Sequence, residues 1–341
     1  MIEIDGSFGE GGGQIVRTAV ALSALTKKPV KIFNIRAKRK NPGLSYQHLT
    51  AIKAVAEICD AEIKGAEKGS SVIEFYPKKI RGGNFSFDVG TAGSVTLVLQ
   101  CCLLPCLFSN EKTKITIKGG TDVKWSPPVD YFQNVFLKTI SKMGANIELK
   151  IIKRGFYPKG GGEIEINIEP VKELKKLDLP QTIETKNING TAFISNLPEH
   201  ILKRMKDSAL KKLLDYEVKI KEEITHSFSP GAGIVLWTDN LLGSSCLGEL
   251  GIPADRVGEN AADNLLQEIK SGATLDFYAS DQILPYLALS KNKSVFLTRK
   301  ISTHAETNMT LIKKFVDVKF DVKDENGLKK VGVEPIKLQG F

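Results

Sequence analysis

The residues with the most chemistry to offer lie in a few short glycine-rich or basic stretches. Near the N-terminus, Gly9-Glu10-Gly11-Gly12-Gly13-Gln14-Ile15-Val16-Arg17-Thr18 joins a short alternating run to an apolar one. A glycine-rich turn between strand and helix presents free backbone N–H groups and the positive end of a helix dipole, which suits phosphate. Glu10 in that turn can hold a divalent metal, and Arg17 near the helix start can reach an anion. The stretch lacks the Gly-Lys-Ser/Thr ending of a P-loop, and glycines placed for close packing alone would look the same.

Further along, Arg36, Lys38, Arg39 and Lys40 form a basic cluster ahead of Pro42-Gly43. The lysines read as a solvated face. The two arginines are better suited to phosphate, because a guanidinium binds it through two parallel hydrogen bonds. Gln47 and His48 follow just inside a helix, where His48 is either a ligand or a satisfied core histidine. Gly93-Ser94 opens another helix, and Gln100 falls inside its apolar run, where an amide needs partners. Gly119-Gly120-Thr121-Asp122 with Trp125 and Asp130 offers carboxylates and an aromatic face that either stacks a base or packs on the core. Arg154 to Gly162 reads as a hairpin loop that is either a turn or a substrate contact. His304 stands at the start of a helix. A neutral imidazole there can attack phosphorus and form a phosphoramidate, and the helix N-terminus favours the neutral form. Read alone, it is first a helix residue with its ring in solvent.

The surrounding chain bounds what these groups can belong to. It has 341 residues, 42% hydrophobic and 26% charged, enough for more than one ordinary domain. The net charge of +9 favours a polyanionic partner. Five cysteines, three of them in the apolar run Val95 to Phe108, match no metal spacing and read as buried reduced thiols. That run is too short to span a bilayer, and the N-terminus has no signal-peptide pattern, so a cytoplasmic protein with no membrane partner is expected.

One pattern, strand–helix–strand–helix–strand–strand, occurs three times. The first copy runs from Met1 to Tyr76 and the second from Phe85 to Ile168. The third begins with a strand at Leu275 to Tyr278 and ends near Val333. Apolar residues at helical spacing pass directly into alternation in each copy, as in Ala54 to Ile63 and Leu137 to Ile147. The expected fold is therefore α+β. Three such repeats form a large domain over residues 1–171 and 273–341, and a small α/β domain is inserted over 172–272. Matching strand-to-helix loops of the copies are expected to converge on one site.

The same stretches resemble RNA 3′-terminal phosphate cyclases. The resemblance rests on Gly6 to Arg17, Ile35-Arg36-Ala37 to Arg39, and Pro42-Gly43-Leu44 with Gln47-His48-Leu49. It continues through Gly93-Ser94 to Gln100, Gly119 to Asp122, Pro127-Pro128, Gly155 to Pro158 with Gly160-Gly161-Gly162, and Asp281-Gln282. It covers nearly the whole chain, least of all the insert. It implies an ATP-dependent reaction on RNA with a 3′-phosphate end. A histidine takes AMP from ATP, the AMP passes to the RNA 3′-phosphate, and the 2′-OH closes a 2′,3′-cyclic phosphate. His304 matches the nucleophile and Glu10 the ligand of Mg²⁺ or Mn²⁺. Arg17, Arg36, Arg39, Gln100, Tyr278 and Asp281 resemble residues around the nucleotide and phosphates, and Pro127 one that lines the adenine pocket. Two other readings compete. A non-catalytic relative acting in ribosomal RNA maturation would lack the histidine. An enolpyruvyl transferase would have two large domains of such repeats.

Overall fold

The computed structural model describes residues 1–336. In the first repeat, β1 (Ile2–Asp5), α1 (Gly13–Thr26), β2 (Val30–Phe33), α2 (Tyr46–Cys59), β3 (Glu62–Lys64) and β4 (Ile73–Tyr76) follow in order. The sheet order is β1-β2-β4-β3, with β1 parallel to β2 and the remaining pairs antiparallel. The second repeat supplies β5 (Gly83–Asp88), α3 (Val95–Leu107) and β6 (Thr113–Gly119). A helical run follows: α4 (Val129–Tyr131), a π-helical stretch Phe132–Leu137 and α5 (Lys138–Lys142). Then come β7 (Ile147–Lys153) and β8 (Gly162–Ile168). Its sheet, β5-β6-β8-β7, has the same order and the same senses.

The third sheet keeps that arrangement but not the expected membership. Its first strand is β9 (Asp178–Leu179), parallel to β14 (Ser294–Thr298); β14 pairs antiparallel with β16 (Leu328–Pro335), and β16 with β15 (Val318–Glu325). The expected boundary at residue 172 thus falls too early. Leu174 bridges to Ser290 and the Leu177 N–H donates to Ser294 Oγ at 3.0 Å, so this segment already runs beside β14. Leu275 to Tyr278, expected as the strand, instead turns into the helix α8 (Phe277–Gln282). The cause is Asp276, whose carboxylate accepts from the Tyr278 and Ala279 N–H groups at 2.9 and 3.0 Å and caps that helix. A two-residue strand carries no periodicity to read, whereas Leu-Asp-Phe-Tyr alternates by accident.

Between β9 and α8 lies the insertion. It holds β10 (Asn187–Ser195), α6 (Glu199–Lys212), β11 (Glu217–Thr225), β12 (Gly231–Thr238), β13 (Gly243–Leu247) and α7 (Ala254–Ser271). Its sheet, β11-β10-β12-β13, has one face covered by α6 and α7. Ile188, Leu202, Met205, Ile234 and Leu265 form a hydrophobic cluster apart from that of the repeats. In the repeats, α1, α2 and α3 pack on one another, and α10 (Thr303–Ile312) packs on α1. Cys59, Cys101 and Cys106 are buried free thiols whose pKa burial pushes up to about 12, as expected of inert core cysteines. Among the described residues no helix is long and apolar enough to cross a membrane.

Insert and repeats are joined by a buried charge cluster. Arg154, only 1% exposed, reaches Asp122 at 3.1 Å, Asp130 at 2.8 Å and Glu223 of the insert at 2.8 Å, and its guanidinium lies 4.1 Å from the centre of the Phe193 ring. Asp122 and Asp130 are therefore committed to this cluster, and Arg154 is a core residue, not part of a substrate loop. Burial raises the Asp122 pKa against the pull of Arg154. Removing the cation would leave carboxylates buried without compensation. Arg154→Leu is expected to cost about 3–5 kcal/mol in denaturant unfolding; a loss below about 1 kcal/mol would show that the cluster is better solvated than its burial implies.

Candidate active site

The N-terminal turn is built by close approach. Gly9 has φ +53°, and a Cβ there would collide with Thr307 on α10. A Cβ on Gly13 would collide with the His48 ring. His48 is 7% exposed, and its Nδ1 accepts from the Ser45 N–H at 3.1 Å, closing a capping box on α2. Burial, with Arg17 and Arg36 nearby, pushes its pKa down to about 3. Of the two readings of His48, the satisfied core histidine is the one observed: a neutral ring that supports the turn from below. The N-cap of α1, Gly12, has no side-chain cap, so the first N–H groups of that helix stay available.

His304 enters from the third repeat. It is the second residue of α10, whose N-cap Ser302 accepts from the Ala305 N–H at 2.9 Å. Its Nδ1 lies 2.6 Å from Gln14 Oε1, and Gln14 Nε2 donates to Asp281 Oδ1 at 3.1 Å. Asn308 Nδ2 also reaches Asp281 Oδ1, at 3.4 Å. These contacts fix the tautomer. An ionised carboxylate only accepts, so Gln14 turns its NH₂ toward Asp281 and its carbonyl toward the ring. His304 therefore carries its proton on Nδ1, and the Nε2 lone pair is free. That nitrogen faces Glu10, with Oε1 3.5 Å away. Burial is the main force lowering the His304 pKa; Asp281 opposes it, while Arg17 and Arg39 add to it. Burial in turn raises Asp281.

Glu10 Oε1 pairs with Arg39, whereas Oε2 is buried with no hydrogen-bond partner. Such an orphaned oxygen fits a hard cation. No group of three His, Cys, Asp or Glu side chains among the described residues forms a preassembled cage. One carboxylate completed by substrate phosphate oxygens is the usual setting for Mg²⁺.

On the other side of His304 a cavity of about 1160 Å³ opens between the repeats and the insert. Gln14, Arg17, Gln100, Pro127, Tyr278 and Asp281 reach its wall from the repeats. Gln100 is held by Gln282 at 2.7 Å, which answers the need of an amide in an apolar helix. The Arg17 guanidinium has no hydrogen bond or ion pair among the described residues, and burial pushes its pKa down to about 10, so it stays cationic and free for an anion. Pro127 is pinned by Thr96 Oγ1, which donates to its carbonyl at 2.8 Å. Tyr278 is 62% exposed at the edge. Trp125 is exposed on the same rim in a left-handed conformation, φ 62°, which costs a bulky residue on the order of 1–3 kcal/mol.

Of the expected residues, Glu10, Arg17, Arg39, Asp281 and His304 are gathered around one imidazole. Gln100, Pro127 and Tyr278 share its cavity. Arg36 is set apart: its Nη1 donates to the Gly43 carbonyl at 2.6 Å, and it is not on the cavity wall. Reading the sequence alone gave Gln14 and Asn308 no role of their own. Gln14 and His304 are 290 positions apart, which no local spacing reveals. The outer wall of the cavity, Gly243 to Leu247 on β13 and Glu268 on α7, was also missed.

Residues 8–322 match the protein family described as RNA 3′-terminal phosphate cyclase. The chain belongs to that family. Proteins named RNA 3′-terminal phosphate cyclase from Methanopyrus kandleri and Methanosarcina barkeri are 45% and 44% identical to it, over 96% and 98% of this chain and 96% and 100% of theirs. One from Nitrosospira multiformis is 46% identical over 98% of this chain and 97% of its own length. At this level of similarity over nearly full length, the family member is an enzyme, and the enolpyruvyl transferase and non-catalytic readings fall away. A solved structure, the enolpyruvyl transferase NikO from Streptomyces tendae, shares 10% identity at a TM-score of 0.29; the match covers 98% of this chain and 66% of that protein. A likeness that weak has no bearing on fold or activity.

The charges around His304 set a titration order. Asp281→Asn removes a charge that favours the imidazolium, so the His304 midpoint is expected to fall further below about 6.5. Arg39→Ala removes an opposing cation and is expected to raise it. NMR titration of the His304 ring checks both directions, and movement the other way in either variant would refute the charge assignment.

Proposed function

We propose that the protein converts an RNA 3′-terminal phosphate to a 2′,3′-cyclic phosphate, using ATP and passing through a covalent His304–AMP adduct. The observation that supports this most directly is the free Nε2 lone pair of a neutral His304. It stands beside the glycine-rich turn, with Glu10 and Arg39 on one side and the unpaired Arg17 on the other.

In the first step Nε2 attacks the α-phosphorus of ATP. An N–P bond forms, and the bond from that phosphorus to the bridging oxygen breaks, its electron pair leaving with pyrophosphate. Positive charge builds on the ring as the bond forms. The Gln14 carbonyl accepts a hydrogen bond from Nδ1–H, which keeps its proton, and Asp281 polarises the Gln14 amide from behind, so the ring is oriented and its charge offset by fixed dipoles. Arg17 and Arg39 neutralise phosphate charge that would repel a nucleophile, and the uncapped N-terminus of α1 adds backbone donors. Glu10 Oε2 fits Mg²⁺ or Mn²⁺, which would supply further charge neutralisation on the phosphates. In the second step an oxygen of the RNA 3′-phosphate attacks the same phosphorus. The N–P bond breaks and the imidazole is restored. In the third, the 2′-OH attacks the activated 3′-phosphorus and releases its proton, and the bond from that phosphorus to the AMP oxygen breaks, its electron pair leaving with AMP. This closure is intramolecular and gains from fixed proximity. It requires a 2′-OH, which DNA lacks.

Pro127 and Tyr278 are proposed to hold the adenine, and Arg36 to act from the loop cluster without touching the reacting atoms. Residues 180–272 are proposed to form an inserted domain whose part is to wall the cavity.

With ATP labelled on the α-phosphate and Mg²⁺ or Mn²⁺ present, the protein is expected to take up one acid-labile label. His304→Ala should abolish it, and an adduct that persists there would end the reading. RNA bearing a 3′-phosphate should become phosphatase-resistant in the same mixture. Gln14→Ala is expected to slow label uptake roughly 10–100-fold with the fold intact. An unchanged rate would mean that ring orientation comes from elsewhere.

A further inference from the structure

We propose that Trp125 is the stacking platform for the terminal nucleobase of the RNA whose 3′-end is processed. This rests on the function proposed above. The indole is 96% exposed, yet its loop is pinned on both sides. Lys124 pairs with Glu249 of the insert at 2.5 Å, Ser126 Oγ donates to the Val123 carbonyl at 2.8 Å, and the Pro127 carbonyl is held by Thr96. With its backbone in the left-handed region, the ring projects into water from a held loop and packs on no core. An exposed aromatic carried by a held loop on the rim of a cavity that also contains His304 has the form of a base platform.

The shape of the cavity decides which base. Its inner end is walled by the buried side chains Leu104, Phe136 and Tyr286, with the last two rings edge-on at 5.7 Å. ATP ends at its adenine, so that base can be enclosed between Pro127 and Tyr278, where it is proposed to sit. The terminal nucleotide of an RNA continues into the upstream chain, so its base must lie where the cavity opens, and Trp125 stands at that opening. Every base has a π face, so such a platform grips an end without reading its sequence. Lys300, also on the cavity wall, adds positive charge for the upstream phosphates.

The test uses the full chain, its Trp125→Ala and Trp125→Phe variants, and two 3′-phosphorylated RNA oligonucleotides, one intact and one abasic at the terminal nucleotide. For cyclisation, Trp125→Ala should raise the KM for intact RNA about tenfold or more, and Trp125→Phe should recover most of it. The abasic end should cost the wild-type protein a similar factor and the Ala variant almost nothing. Label uptake from ATP should change much less than the RNA step. An unchanged KM, or an abasic penalty that survives in Trp125→Ala, would overturn the proposal. So would a loss of label uptake as large as the RNA defect, because the ring would then belong to the adenine site. Quenching of Trp125 fluorescence by intact RNA without ATP, absent in Trp125→Phe, tests the platform even if wild-type protein takes no label. Failure of labelling in the wild type counts against the His304 adduct, whereas failure of quenching counts against Trp125.

Discussion

The site depends on a chain of hydrogen bonds that runs from Asp281 through Gln14 to His304. Gln14 belongs to the first repeat, and the other two residues to the third. One amide thus joins two modules and sets which nitrogen of the ring carries the proton. Without it the ring could rotate or exchange its proton between nitrogens, and the lone pair would have no fixed direction. An amide suits this place better than a second carboxylate would. It accepts from the ring and donates to Asp281 without adding a charge that burial would penalise.

The glycines serve the same geometry from another side. The turn and α10 come close enough for Glu10 and His304 to meet because Gly9 leaves room for Thr307, and Gly13 lets the start of α1 lie against the His48 ring of α2. His48, buried and neutral, takes no part in the proposed chemistry and instead fills the space under the turn. The price of this close fit is that few side chains are tolerated in the turn. Its return is a set of backbone donors at the start of α1 held in place with no side-chain cap.

The insert is tied to the repeats by polar bonds that are themselves buried. Arg154 collects two carboxylates from the second repeat and one from the insert. Asp276 accepts from Tyr131 Oη at 2.7 Å and from the Gly243 N–H at 3.0 Å while capping α8. Burial pushes its pKa up to about 6, so this joint combines three elements around one buried acid. Buried polar groups need specific partners, and the Gly243 N–H bond to Asp276 ties the start of β13 beside the cavity.

Local signals carried much of this protein. Apolar spacing marked the helices and strands of the repeats, the glycine-rich run marked a tight turn into a helix without a side-chain cap, and the sequence resemblance singled out His304 and Glu10. These depend on residues adjacent in the chain or on motifs read in order. What spacing could not supply was pairing across long separations. The two-residue strand β9 has no pattern of its own and exists because β14 offers it a partner. Asp122, Asp130 and Arg154 looked like surface chemistry until folding enclosed them, and Trp125, which read first as packing on the core, is held outward by its loop. The repeats were legible in the chain because secondary structure is periodic. The proton on His304 was decided by tertiary structure, because it follows from a neighbour that only the packing of α1 against α10 brings near.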